Sequence, residues 1–134
     1  MAVTDKKSSG QKKTKKVRKS IPQGKVYINC TANNTLVTIT DSLGNALAQS
    51  SAGSVGFRGT RKSTPYAAQV AAETAMKLAS PYGLQKVEIM IRGFGVGRDQ
   101  SLRGIASSGV EILSLHDTTA VAHGGVRKKK ARRV

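Results

Sequence analysis

Tryptophan is missing from the chain, and cysteine occurs once, as Cys30. A lone thiol cannot build a disulfide framework or a cysteine-rich zinc site, and it fits a reducing compartment. No apolar run approaches the roughly 18 residues of a membrane-spanning helix. Acids are scarce as well: 7 Asp plus Glu stand against 23 Lys plus Arg, a net charge of +16 on 134 residues. Self-repulsion from such an excess works against compaction, and an ordinary small enzyme has no use for it. A polyanionic partner therefore comes before any catalytic idea. Hydrophobic residues make up 38 % of the chain, enough for one core in one domain of ordinary size.

The excess sits at the two ends. Residues 1–20 hold eight bases against Asp5, a net of +7, and residues 126–134 hold six bases and no acid. Residues 21–125 carry nine bases against six acids, which leaves the body at +3. The first 20 residues have only Met1, Ala2, Val3 and Val17 as apolar side chains, too few to offset the entropy of ordering, so they are expected to be disordered when free. They lack the apolar stretch of a signal peptide and the helical Leu or aromatic positions of a transit peptide. Solubility or nuclear import would account for the tails blandly. Phosphate backbones account for them better, because Lys and Arg arms release condensed counterions. An anionic membrane would attract the same charges, but neither tail has the apolar face that anchoring needs.

The body alternates elements. Val26, Ile28 and Cys30 face one way and Lys25, Tyr27 and Asn29 the other, which marks a strand over Lys25–Cys30. Asn33-Asn34 breaks it, and Leu36–Thr40 resumes with Val37 and Ile39 at period two. Asp41 to Asn45 is a turn, and Ala46–Gln49 a weaker third strand. Ser63-Thr64-Pro65 starts a helix, a hydroxyl cap followed by proline at the first helical position. It runs to about Ser80, with Ala67, Val70, Ala71, Ala75 and Leu78 as its inward face. A strand over Lys86–Arg92, a short helix near Asp99–Ser108 with Leu102, Ile105 and Ala106 inward, and a strand over Val110–Leu115 follow. The order β-β-β-α-β-α-β predicts an α/β fold: a mixed sheet with antiparallel hairpin strands, parallel crossover strands and flanking helices. Residues 21–117 would form this domain, between a basic arm at 1–20 and a basic extension at 118–134.

Two loops draw attention as nucleic-acid sites. Gly93, Gly95 and Gly97 stand where a strand hands over to a helix, so the backbone can approach a phosphate at a helix N-terminus. The spacing is neither a dinucleotide fingerprint nor a P-loop. A plain flexible turn is the bland alternative, and the flanking Arg92 and Arg98 favour a nucleic-acid backbone. The Gly53–Lys62 loop adds Phe57 for stacking and Arg58, Arg61 and Lys62 for phosphates, which Arg can bond bidentately. His123 and the arm residues Arg127, Lys128, Lys129, Lys130, Arg132 and Arg133 complete the RNA-binding candidates.

Catalysis finds little support. His116 and Asp117 are adjacent on a strand end, so they point to opposite faces. Among Asp41, Glu88, Asp99, Glu111 and Asp117 no spacing singles out a two-metal pair. Cys30 reads as a small core residue. No catalytic residue, metal or cofactor is expected. The rivals are a free-standing nucleic-acid binder or RNA chaperone acting through its tails, and a metal-dependent nuclease built on Asp41 or Asp117.

Asn33-Asn34-Thr35, Thr38 to Asp41, Gly44 to Ala46 and above all the run from Gly56 through Phe57 and Pro65 to Glu73 resemble small-subunit ribosomal protein eleven of the bacterial type. Gly93, Gly95, Gly97-Arg98 and the terminal Arg132-Arg133-Val134 agree, and the resemblance spans residues 22–134. It implies a structural RNA-binding protein of the small-subunit platform, contacting the central domain of the ribosomal RNA. It places the chain near the messenger exit and the Shine–Dalgarno cleft, beside small-subunit proteins seven, eighteen and twenty-one, in a cytoplasmic or plastid ribosome. Phe94 and Val96 stand where the family usually has prolines, implying a less rigid loop, and the arm has lost prolines and gained lysines. Arg58, Arg61 and Arg98 together are expected to matter more for specific docking than any one tail lysine.

Overall fold

A computed structural model describes residues 19–134, so most of the N-terminal arm assigned to residues 1–20 lies outside the described residues. Five strands and two helices follow the expected order: β1 (Gln23–Cys30), β2 (Thr35–Asp41), β3 (Ala46–Ser51), α1 (Pro65–Ala79), β4 (Lys86–Arg92), α2 (Arg98–Ala106) and β5 (Glu111–Asp117). One mixed sheet results, in the order β3-β2-β1-β4-β5. β1 pairs antiparallel with β2, and β2 with β3, while β1–β4 and β4–β5 are parallel, as the hairpin and crossover lengths require. Short 3₁₀ turns at Gly59–Ser63 and Ser80–Tyr82, which periodicity does not reveal, bracket α1.

Alternation decides the two faces of the sheet. Val26, Ile28 and Cys30 of β1, Val37 and Ile39 of β2, and Val87, Ile89 and Ile91 of β4 are buried against both helices. Cys30 is a small core residue as expected, and burial raises its thiol pKa, with Thr35 and Ser101 hydrogen bonds opposing. Lys25, Tyr27 and Asn29 of β1, with Glu88, Met90 and Arg92 of β4, alternate on the other, uncovered face.

The helix faces need correction. Leu78 is 52 % exposed and Val70 only half-buried, whereas Ala67, Ala68, Ala71, Ala72, Ala75, Met76 and Ala79 are buried. α1 is covered from two sides, by the sheet and by α2, so its contact stripe is wider than one face and turned towards the alanines. The same logic moves α2. Ser101, Gly104 and Ile105 are buried, Leu102 is half-buried and Ala106 is exposed. A Cβ on Gly104 would stand 2.8 Å from the Gln69 carbonyl oxygen and 3.0 Å from the Ala72 Cβ, which shows how closely the helices approach. Thr64 caps α1 by accepting from the Ala67 amide at 3.3 Å, as its hydroxyl and Pro65 predict.

Candidate nucleic-acid interface

Parallel pairing brings the carboxyl ends of β1, β4 and β5 to one end of the sheet, and β3 also finishes there, since Ser51 pairs with Leu36 near the start of β2. Both loops singled out in the sequence leave from this end, and so does the C-terminal extension. Ligands of open α/β sheets bind outside the carboxyl ends of parallel strands.

The first loop folds back on itself. Phe57 donates its amide to the Ala52 carbonyl at 3.2 Å, and the Ser54 hydroxyl bonds the Ser51 backbone. Arg58 donates to the Gly53 carbonyl at 2.8 Å, so part of its guanidinium is used to shape the loop. Arg61 is exposed and Lys62 half-buried, and neither has an ion pair among the described residues. Phe57 meets Tyr66 edge-on, with ring centroids 5.9 Å apart at 80°. Tyr66 is 66 % exposed on the first turn of α1, so an aromatic corner opens beside the cations. A hollow of about 400 Å³ between Val55, Phe57, Arg58 and Arg61 adjoins it. Tyr66 escaped the sequence reading because it lies inside a helix; its place directly after Pro65 is the signal that could have found it.

The second loop is held from beneath. Gly95 donates to the Cys30 carbonyl at 3.1 Å, and Gly93 donates to the Thr119 hydroxyl at 3.1 Å. Gly93 has a φ of +101°, and a Cβ there would collide with the Cys30 backbone; one on Gly95 would collide with the Thr31 carbonyl. At Gly97 a Cβ would lie 2.5 Å from the Ala68 Cβ and 2.8 Å from the Thr35 hydroxyl. The three glycines therefore serve close approach to β1 and to the first turn of α1.

Arg98 has partners within the fold itself. Its Nη1 donates to the Gly93 carbonyl and, at 3.4 Å, to the Thr119 hydroxyl, while Nη2 bonds the Asp117 carboxylate at 2.9 Å. The Thr119 hydroxyl and amide in turn donate to that carboxylate at 2.6 and 3.0 Å. These bonds tie the glycine loop, the start of α2 and the root of the C-terminal extension into one knot. Thr119 hydrogen bonds first, then Arg98, hold the Asp117 carboxyl down to about 2. Because the folded value lies below the ordinary one, the carboxylate's contribution is complete above the usual range near 4. It disappears only as pH falls towards 2. The Thr119 amide resonance is thus expected to stay fixed from neutral pH to about 4 and to move near 2. In Arg98→Ala the transition rises only part of the way to the normal carboxylate value, since the Thr119 bonds remain.

Arg92 is exposed on the uncovered face, beside its β1 partner Asn29. His123, Arg127, Lys128, Lys129, Lys130, Arg132 and Arg133 are all exposed on an irregular arm. No side chain of that arm hydrogen-bonds or ion-pairs with another described residue. The structure thus gathers both loops and the arm's root at one end and leaves the arm's bases free.

Asp41 and Asp117, the carboxylates on which a nuclease would be built, stand apart. Asp41 closes the β2–β3 turn, accepting from the Leu43 and Asn45 amides at 2.9 Å each and from the Asn45 side chain, bonds that lower its pKa. It pairs with Gly24 at the start of β1, the opposite end of the sheet from Asp117. Among the described residues no three His, Cys, Asp or Glu side chains are grouped to hold a metal, and no helix is long and apolar enough to cross a membrane.

A cationic end on an α/β sheet does not by itself name a partner; comparison with known families does. The family model for ribosomal protein S11 matches residues 24–133. The chain therefore belongs to the ribosomal protein S11 family, structural constituents of the small ribosomal subunit that bind its RNA in translation.

Proposed function

We propose that the chain binds the central domain of small-subunit ribosomal RNA in the platform and helps to shape the messenger exit and the cleft for the Shine–Dalgarno duplex. Its neighbours there are small-subunit proteins seven, eighteen and twenty-one, with messenger RNA close by, and it has no catalytic role. The observation that carries this reading is the convergence of the two loops and the arm at one end of the sheet. Phe57, Arg58, Arg61 and Lys62 supply one patch, and Arg92, at the root of the loop that Gly93, Gly95 and Gly97 seat against β1 and α1, supplies the next. Arg98 sets the angle between loop and arm, and His123 with the six arm bases follows the RNA outward. Lys and Arg neutralise phosphates regardless of sequence, whereas a fixed loop selects one RNA shape.

The test is reconstitution of small subunits with Arg58→Ala/Arg61→Ala/Arg98→Ala. Incorporation is expected to fall about tenfold, the effect of about 1.4 kcal/mol, while a single tail-lysine variant assembles normally. Unchanged incorporation of the triple variant overturns the assignment. The tail-only RNA chaperone makes the opposite prediction for sedimentation: it leaves the small subunit in a high-salt wash, where an integrated protein stays.

A further inference from the structure

The glycine loop carries two apolar side chains for which the fold has no use. Phe94 is 82 % exposed and Val96 69 %, although the glycines on either side are fixed against β1 and α1. An unburied Phe on a mobile loop would be unremarkable, but here the backbone that presents it is anchored at Cys30, Thr119 and Ala68. Beside the ring lies a hollow of about 400 Å³, lined by Asn29, Thr31, Arg92, Phe94, Gly95 and Thr119 among others. That is within the size range of small-ligand sites. Asn29 and Arg92 are cross-strand neighbours on the uncovered face. Neither side chain hydrogen-bonds or ion-pairs with any described residue.

We propose that Phe94 and this hollow form a receptor for one unpaired base of the ribosomal RNA. The inference rests on the RNA-binding reading above. The base stacks on the Phe94 ring, the Asn29 amide meets its edge as both donor and acceptor, and Arg92 takes the adjoining phosphate. Unpaired bases are what proteins recognise in this way, since a base within an A-form duplex offers no free face. Charge favours RNA over a protein side chain as the occupant. Arg92 stands on the rim, and Thr119 and Ala120 lead from the same hollow into the arm with its six bases.

Small subunits reconstituted with the full chain and its own ribosomal RNA test this. In Phe94→Ala one unpaired nucleotide is expected to gain reactivity towards a 2′-hydroxyl acylating probe. The affinity for the central-domain RNA should fall about fivefold or more, the lower range for loss of one base–aromatic stack, and Phe94→Trp should restore both. The ring is exposed, so folding is not at issue. A photoreactive p-benzoylphenylalanine in place of Phe94 should crosslink to RNA; a crosslink to a ribosomal protein overturns the proposal. If Phe94→Ala changes neither reactivity nor affinity while the arm still supports RNA binding, the receptor falls and the RNA-binding reading stands. If the unaltered chain fails to bind the RNA, both fall.

Discussion

Replacing Gly93 by alanine is expected to destabilise the fold by about 4 kcal/mol, the sum of two penalties that other glycines of the chain show singly. The first is conformational. Gly93 has a φ of +101°, and Gly44, at +95°, has the same problem with nothing within 4 Å of where a Cβ would go. Gly44→Ala therefore isolates the strain, of order 1–3 kcal/mol. The second is steric. Gly95 has no positive φ, yet a Cβ on it would run into the Thr31 carbonyl, so Gly95→Ala isolates the cost of pushing β1 and the loop apart. At Gly93 the obstacle is the Cys30 backbone at the end of a central strand, which has no rotamer by which to yield. Urea midpoints for these and Gly125→Ala should rank Gly93→Ala as the most damaged and Gly125→Ala, in open space, as unaffected. A Gly93 variant no worse than Gly44→Ala would mean that the contact with Cys30 does not fix the loop.

Much of this architecture is legible in the sequence, and what is not has identifiable causes. β1, β2 and β4 stand out because they are central and one-sided, so the alternation around Val26, Val37 and Ile89 is clean. β5 is an edge strand exposed along almost its whole length, and its true end at Asp117 is set by pairing with Ile91 rather than by its own side chains. The face of α1 is misjudged because hydrophobicity weights Val70 and Leu78 above alanine, whereas a helix wedged between a sheet and a second helix selects for small volume. α2 ends at Ala106, two residues before the expected Ser108, because the Ser108 and Gly109 amides turn to carbonyls three residues back and Gly109 adopts a φ of +80°.

The candidate site divides similarly. Basic loops and glycines announce themselves by composition, so both loops and the arm are legible as candidates. What composition cannot show is which cations the fold itself uses. Arg98 flanks a glycine loop, but its partners within the fold, Asp117 and Thr119, lie 19 and 21 residues away, and the parallel pairing of β4 with β5 brings them together. Exposed apolar residues pose the converse problem. Nothing in the sequence shows that Tyr66 and Phe94 stand outside the core; the fold leaves both rings exposed.

Deleting residues 126–134 should separate folding from binding more sharply than any point change. The arm's side chains hydrogen-bond to no described residue and the segment is fully exposed, so the urea midpoint should stay within about 0.5 kcal/mol of the intact chain. RNA affinity should behave otherwise, because six bases leave with the segment. Each phosphate they neutralise contributes about 0.7–0.9 to the slope of log affinity against log salt, so the slope should become shallower by about 4–5. Between 50 and 200 mM salt the intact chain would then lose roughly three decades more affinity than the shortened one. At 100 mM the shortened chain should bind about a thousandfold more weakly, with the difference vanishing as salt rises. The loops predict the complementary behaviour. Their glycines and the Arg98 knot hold a shape whose contacts persist in salt, so the shortened chain should still prefer its own RNA to a competitor duplex. A slope change below about 1 would place the arm's bases away from phosphates. Loss of that residual preference would instead show that the arm, and not the end of the sheet, carries the selection.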